Sequence, residues 1–100
     1  MNPLIQRILE ARFKVVFRRL GRNVIGQFTA PDLIEIDLRA RISPVKIYIH
    51  ECIHRFYPDW SETRVVAEEN MIWRKTSRYS RFLLYRKLFN RKFRTAEDEQ

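Results

Sequence analysis

The chain has 100 residues, room for one domain with one site and no separate regulatory unit. Apolar types make up 45% and charged types 32%, with two Gly and four Pro; this excludes a wholly disordered chain and leaves disorder for the ends. Lys and Arg outnumber Asp and Glu by 20 to 12, which keeps acidic substrates, nucleic acid and anionic membrane surfaces open as partners. A single Cys excludes an intrachain disulfide framework and a Cys-rich zinc knuckle. No apolar run matches a signal peptide or the roughly 18 residues of a membrane span, so a cytoplasmic location is expected.

Asn2-Pro3 is a helix start, with Asn as cap and Pro at the first helical position. Leu4, Ile5, Ile8 and Leu9 then recur at helical spacing to about Ala11. From Arg12 the period changes to two: Phe13, Val15 and Phe17 alternate with Lys14, Val16 and Arg18, which predicts a strand. Leu20-Gly21-Arg22-Asn23 is a turn. Val24 to Thr29 is a second strand, weakened or bulged at Gly26. Pro31-Asp32 breaks the chain. Leu33 to Leu38 is a third strand, with Ile34, Ile36 and Leu38 on one face and Glu35 and Asp37 on the other. Short connections favour antiparallel pairing.

Ser43-Pro44 repeats the cap-plus-Pro signal and predicts a helix to about Phe56. Tyr57-Pro58-Asp59-Trp60 stops it, and Ser61 caps a further helix from Glu62 to about Lys75. A last helix is expected from about Arg78 to Phe93, before an acidic tail, Ala96 to Gln100. The predicted class is α+β: a small antiparallel three-stranded sheet against two antiparallel helices, with helices at both termini. One domain is expected over residues 1–95, with a flexible tail over 96–100.

His50-Glu51-Cys52-Ile53-His54 matches H-E-x-x-H and contains both histidines of the chain. Residues i and i+4 sit about 40° apart around a helix, so both imidazoles can reach one Zn²⁺. Glu51 projects beside the ion, where it can take a proton from a water that the cation polarises. Val45, Ile49, Cys52, Ile53 and Phe56 form an apolar stripe whose edge carries the two His; Cys52 therefore reads as a small core residue rather than a ligand.

A catalytic zinc needs a third protein ligand and an open position. No His remains, so the candidates are carboxylates of the next helix, where Glu62, Val65, Val66, Glu69, Ile72 and Trp73 share a face. Folding the helix pair about Pro58 sets Glu62 opposite His54 and Val66 opposite His50, with Glu69 about one turn beyond. Glu62 is the chosen ligand and Glu69 the alternative. Glu62 also suits the first turn as a helix-dipole partner, and Glu69 also suits a partly buried ion pair.

His50-Glu51-x-x-His54 followed by Tyr57-Pro58-Asp59-Trp60-Ser61-Glu62 resembles the minigluzincins, small single-domain gluzincin metallopeptidases. The resemblance covers about Leu33 to Trp73. It implies a compact α+β fold whose edge strand pairs with an extended peptide or protein substrate beside the metal. It implies Zn²⁺ held by His50, His54 and Glu62, with Glu51 as general base and acid. It also implies that a terminal segment, here the last helix or its tail, can lie across the cleft and make the chain latent. One departure stands out: many gluzincins carry an Asp four residues after the ligand Glu to orient a ligand His, and here that position is Val66. Glu69 or a backbone carbonyl would then have to orient the ring. Tyr57, Tyr79, Tyr85 or an Arg are the candidate oxyanion stabilisers.

Arg74 to Arg94 contains nine Lys and Arg and no acid. Phe82, Tyr85, Phe89 and Phe93 make one helical stripe, widened by Leu84 and Leu88. That pattern predicts an amphipathic helix packed on the core with its basic face in water. The same residue types suit nucleic acid or a membrane surface. A zinc-stabilised nucleic-acid-binding module acting through residues 74–94 is therefore the alternative to a peptidase.

Overall fold

The computed structural model describes residues 2–21, 24–39, 41–89 and 94–95. In chain order the elements are α1 (Pro3–Glu10), β1 (Lys14–Phe17), β2 (Gly26–Ala30), β3 (Leu33–Ile36), α2 (Pro44–Phe56), α3 (Glu62–Lys75), α4 (Arg78–Leu88) and β4 (Arg94–Thr95). The class is α+β, as the pattern predicts. The cap of α1 forms as expected, Asn2 Oδ1 accepting from the backbone N–H of Leu4 at 2.8 Å. Ser61 Oγ likewise accepts from Arg64 N–H at the start of α3. Ser43 does not cap α2 through its side chain; its Oγ lies 3.1 Å from the Tyr85 hydroxyl instead.

The sheet is mixed, not antiparallel, and its strand order is β2-β3-β1-β4. β2 and β3 form an antiparallel hairpin around Pro31-Asp32, while β1 runs parallel to both β3 and β4. The connection through residues 18–25 is long enough to carry the chain past one strand position. β3 then returns into the gap beside β1 and must run parallel to it. Burial on both faces fits that interior place: Val15, Val16 and Phe17 are all buried in β1, a continuous apolar run rather than an alternation.

Strand β3 stops at Ile36, and Leu38 turns outward instead of extending its apolar face. Glu35 and Asp37 are buried. Glu35 pairs with Arg18 at 2.6 Å and accepts from Gln27. Asp37 takes the Arg39 guanidinium at 2.8 Å and the backbone N–H groups of Leu20 and Arg39. The Arg39 guanidinium and these two amides hold its carboxyl well below the usual carboxylate range. A depressed folded-state pKa stabilises the fold above the unfolded value of about 3.9 and loses that effect as pH falls below it. Chemical denaturation from pH 6 down to pH 2 is expected to show an acid loss of stability that Asp37→Asn blunts; equal slopes for both chains would contradict it.

Helix α2 is the centre of the core. Val45, Ile49, Cys52 and Ile53 are fully buried, packed with Ile5 and Ile8 of α1, Ile34 and Ile36 of β3, Val65 and Ile72 of α3, and Leu84 and Leu88 of α4. Each such Ile or Leu contributes about 1.5–3 kcal/mol of hydrophobic stabilisation. Helix α4 ends at Leu88, short of the expected Phe93, and β4 follows. Its buried face is Ser80, Leu84 and Leu88, so of the expected stripe the two Leu are buried while Phe82, Tyr85 and Phe89 are exposed; Phe93 lies outside the described residues. The tail over 96–100 lies outside the described residues. No helix among the described residues is long and apolar enough to cross a membrane.

Candidate metal centre

The i, i+4 spacing on α2 brings the two imidazoles together, with His50 Nε2 and His54 Nε2 3.1 Å apart. The Tyr57-to-Ser61 connection folds α3 back on α2, and the capped first turn of α3 carries Glu62 to the same point. Glu62 Oε1 lies 2.9 Å from His50 Nε2, and Oε2 lies 2.7 Å from His54 Nε2. His50, His54 and Glu62 thus offer ligand atoms that all lie within 4.8 Å of one another. A tetrahedral zinc with bonds of about 2.0–2.1 Å needs donors about 3.3 Å apart. The two imidazole nitrogens are close to that spacing, and Glu62 turns one oxygen to each ring, so completing the set requires one of these oxygens to settle between them. The donor set, two imidazoles and one carboxylate, is one that zinc takes in hydrolytic sites.

Glu69 does not join the triangle. Its Oε1 lies 2.5 Å from His50 Nδ1, on the far side of the ring, and its Oε2 pairs with Lys46 Nζ at 3.3 Å. This is the orienting contact that Val66 cannot supply. A carboxylate on Nδ1 keeps the proton there and presents Nε2 as a lone pair. The same hydrogen bond raises the pKa of His50, against the opposing effect of burial. Helical spacing placed Glu69 a turn too far, because the interhelical crossing, not the wheel, decides which residues meet.

Glu51 is half-buried beside the pair and makes no ligand contact. Burial pushes its carboxyl above the usual range, and the neighbouring Glu62 and Glu69 add to that, while both His oppose it. Cys52 is fully buried, and burial pushes its thiol well above its ordinary value, as suits a core residue.

The cluster opens into a cleft of about 640 Å³ between α2, α3 and β2. Val24, Ile25, Gly26, Gln27 and Phe28 form one wall, and β2 is an edge strand of the sheet. Gly26 matters here through close approach, not a bulge; the register shift falls between Phe28 and Ala30. A Cβ on Gly26 would sit 2.5 Å from Ile47 Cγ2 and 3.4 Å from Glu51 Cγ. Ile47 is β-branched and stiff, so β2 would have to back away from α2. Gly26→Ala is expected to cost about 1–3 kcal/mol in urea denaturation. A variant as stable as the parent would show that the strand does not pack this closely.

None of the proposed oxyanion tyrosines lines the cleft. Tyr57 stacks on Trp60 with ring centroids 4.0 Å apart, Tyr85 meets Ser43, and Tyr79 faces water. No Arg among the described residues lines it either. The side-chain donors there are Gln27, Lys46 and Asn70. Lys46 was visible in the sequence as the residue one turn before His50; Asn70 carried no signal. Helix α4 supplies no lining residue and so does not lie across the cleft; the tail over 96–100, the other segment for which the resemblance implied that place, lies outside the described residues. No protein-family model matches the chain, and neither a curated protein nor a solved structure is detectably similar to it.

Proposed function

We propose that the chain is a zinc-dependent peptidase in which His50, His54 and Glu62 hold the metal and Glu51 is the general base. The observation that carries this reading is the convergence of His50, His54 and Glu62 on one point of a cleft that also holds a half-buried carboxylate and a sheet edge. The minigluzincin resemblance supports the same assignment. When bound, Zn²⁺ would supply Lewis acidity toward the scissile carbonyl and the attacking water.

The chain's own residues do the rest. The free edge of β2 takes an extended peptide by main-chain hydrogen bonds, as strand addition does elsewhere. Ile25, Ile42 and Val66 give its side chains an apolar lining. Glu51 accepts one proton of the water as its oxygen bonds to the carbonyl carbon. It then returns that proton to the amine nitrogen as the C–N bond breaks. A carboxylate that takes a proton and gives it back works better above its ordinary range, the direction in which burial moves Glu51. Glu69 and Lys46 hold His50 in place throughout. The side chain of Glu62 is 63% exposed, so the site has an open side, unlike a structural zinc closed by four protein ligands.

The test is metal content and hydrolysis of a quenched fluorescent peptide library by the purified chain. About one zinc per chain is expected, with cleavage that a chelator removes and added zinc restores. Full activity in the metal-free protein, or zinc binding without cleavage of any library member or unfolded protein, would overturn the proposal.

A further inference from the structure

The outer side of helix α4 lies away from the cleft, and the fold uses only part of it. Its buried face is Ser80, Leu84 and Leu88. The opposite pole carries Tyr79, Phe82, Tyr85 and Phe89, exposed by 66%, 57%, 42% and 49%; Phe89 stacks on Phe17 of β1 and Tyr85 meets Phe89 and Ser43, so Tyr79 and Phe82 are the rings turned wholly to the outside. Arg78 and Arg86 stand among them, and the six residues span about 120° of the helix at about 100° per residue. A helix with no partner on its outer side normally carries charged or small polar residues there. Here it carries rings and guanidinium groups, and α4 contains no acid.

Two of the four cations of α4 serve the fold. Arg81 donates to the Trp73 carbonyl at 2.5 Å and covers the Trp73 ring at 4.2 Å. Lys87 donates to the carbonyls of Leu9 and Ala11. Arg78 and Arg86 are exposed and make no ion pair with a described residue. Around the helix they lie on either side of Phe82 and Phe89. Arg74 and Lys75, at the exposed end of α3, continue the positive charge beyond the α4 N-terminus.

The geometry points to a binding surface for single-stranded nucleic acid on the outer face of α4. Single-strand surfaces combine rings that stack on bases with cations that meet the phosphates, and this pole carries both. Every base has a π-face, so Phe82 and Tyr79 need no sequence-specific partner. Charge favours a polyanion throughout, since the chain carries a net +8. An anionic membrane fits the pattern less well. Interfacial helices keep their basic residues apart from their apolar face and use aliphatic side chains for insertion. On this pole the arginines sit among the rings, and none of the exposed apolar residues of α4 is aliphatic. The surface is independent of the peptidase reading, because α4 contributes nothing to the cleft.

The experiment is fluorescence anisotropy of a labelled oligothymidylate strand titrated with the full chain at several salt concentrations. Phe82→Leu keeps an apolar side chain but removes the stacking face, and is expected to weaken binding about fivefold or more. Phe82→Trp is expected to restore it. Arg78→Gln with Arg86→Gln is expected to lower the slope of log affinity against log salt by about 1.4, at about 0.7 per phosphate contact on a single strand. These side chains are exposed, so circular dichroism and zinc content serve as controls for folding. Three results would overturn the proposal. One is the absence of oligothymidylate binding at low salt. Another is Phe82→Leu binding as tightly as the parent, which would leave only unspecific charge attraction. The third is binding to phosphatidylserine vesicles that depends on Phe82 while oligothymidylate binding does not.

Discussion

Replacing Glu51 by Gln is expected to leave about one zinc per chain while slowing peptide hydrolysis by about 10²–10⁴-fold. The carboxylate touches neither His50 nor His54 within hydrogen-bond distance, so the amide should not disturb the ligand triangle. It cannot accept the proton of the attacking water, and that transfer is what Glu51 is assigned. Burial also favours the substitution: a half-buried carboxylate whose charge is disfavoured by its surroundings loses little when made neutral. The fold should therefore be as stable as the parent or slightly more so. Zinc analysis, thermal denaturation and peptide turnover on one preparation separate the effects. Turnover within a fewfold of the parent would remove Glu51 from the chemistry and with it the proposed mechanism.

Replacing His54 by Ala is expected to abolish stoichiometric zinc binding, since it removes one of three groups whose ligand atoms lie within 4.8 Å of one another. Glu69→Gln should behave differently. It leaves the triangle intact but takes the charge away from His50 Nδ1 and from Lys46 Nζ. A loss of about 10–100-fold in zinc affinity is the expected scale for a group that orients a ligand without touching the metal. Competition against a chromophoric chelator measures both, and Glu62→Gln decides between the two carboxylates. If Glu69→Gln lost zinc outright while Glu62→Gln kept it, the ligand assignment would have to be exchanged. Retention of stoichiometric zinc by the His54→Ala chain would leave no metal centre at this place.

The sequence was most legible where local geometry decides. The bounds of α2 and α3 follow from Ser43-Pro44, Tyr57-Pro58 and Ser61, because Pro at the start of α2 and the capping Ser61 of α3 each act within one turn. The i, i+4 pairing of His50 and His54 is a property of any α-helix. The proximity of Glu62 follows nearly as directly, since a short connection forces α3 to start beside the end of α2. Less legible was α4. Phe82, Tyr85 and Phe89 were expected on the buried face together with Leu84 and Leu88, yet only the two Leu are buried. A wheel shows that two apolar faces exist. It does not show which one meets the neighbouring helices.

By itself, then, the amino-acid order determined an α+β chain with a Pro-initiated helix bearing two imidazoles and a carboxylate between them. Each of those features depends on residues within a few positions of one another. Only the tertiary structure decided that β3 lies between β1 and β2, which makes the sheet mixed. Only the crossing of α2 and α3 put Glu69 behind His50 and Lys46 behind Glu69. Only the approach of β2 to α2 explained the absence of a side chain at Gly26. These contacts join segments far apart in the chain, where relative position is set by how the whole core packs and not by the period or propensity of any one segment.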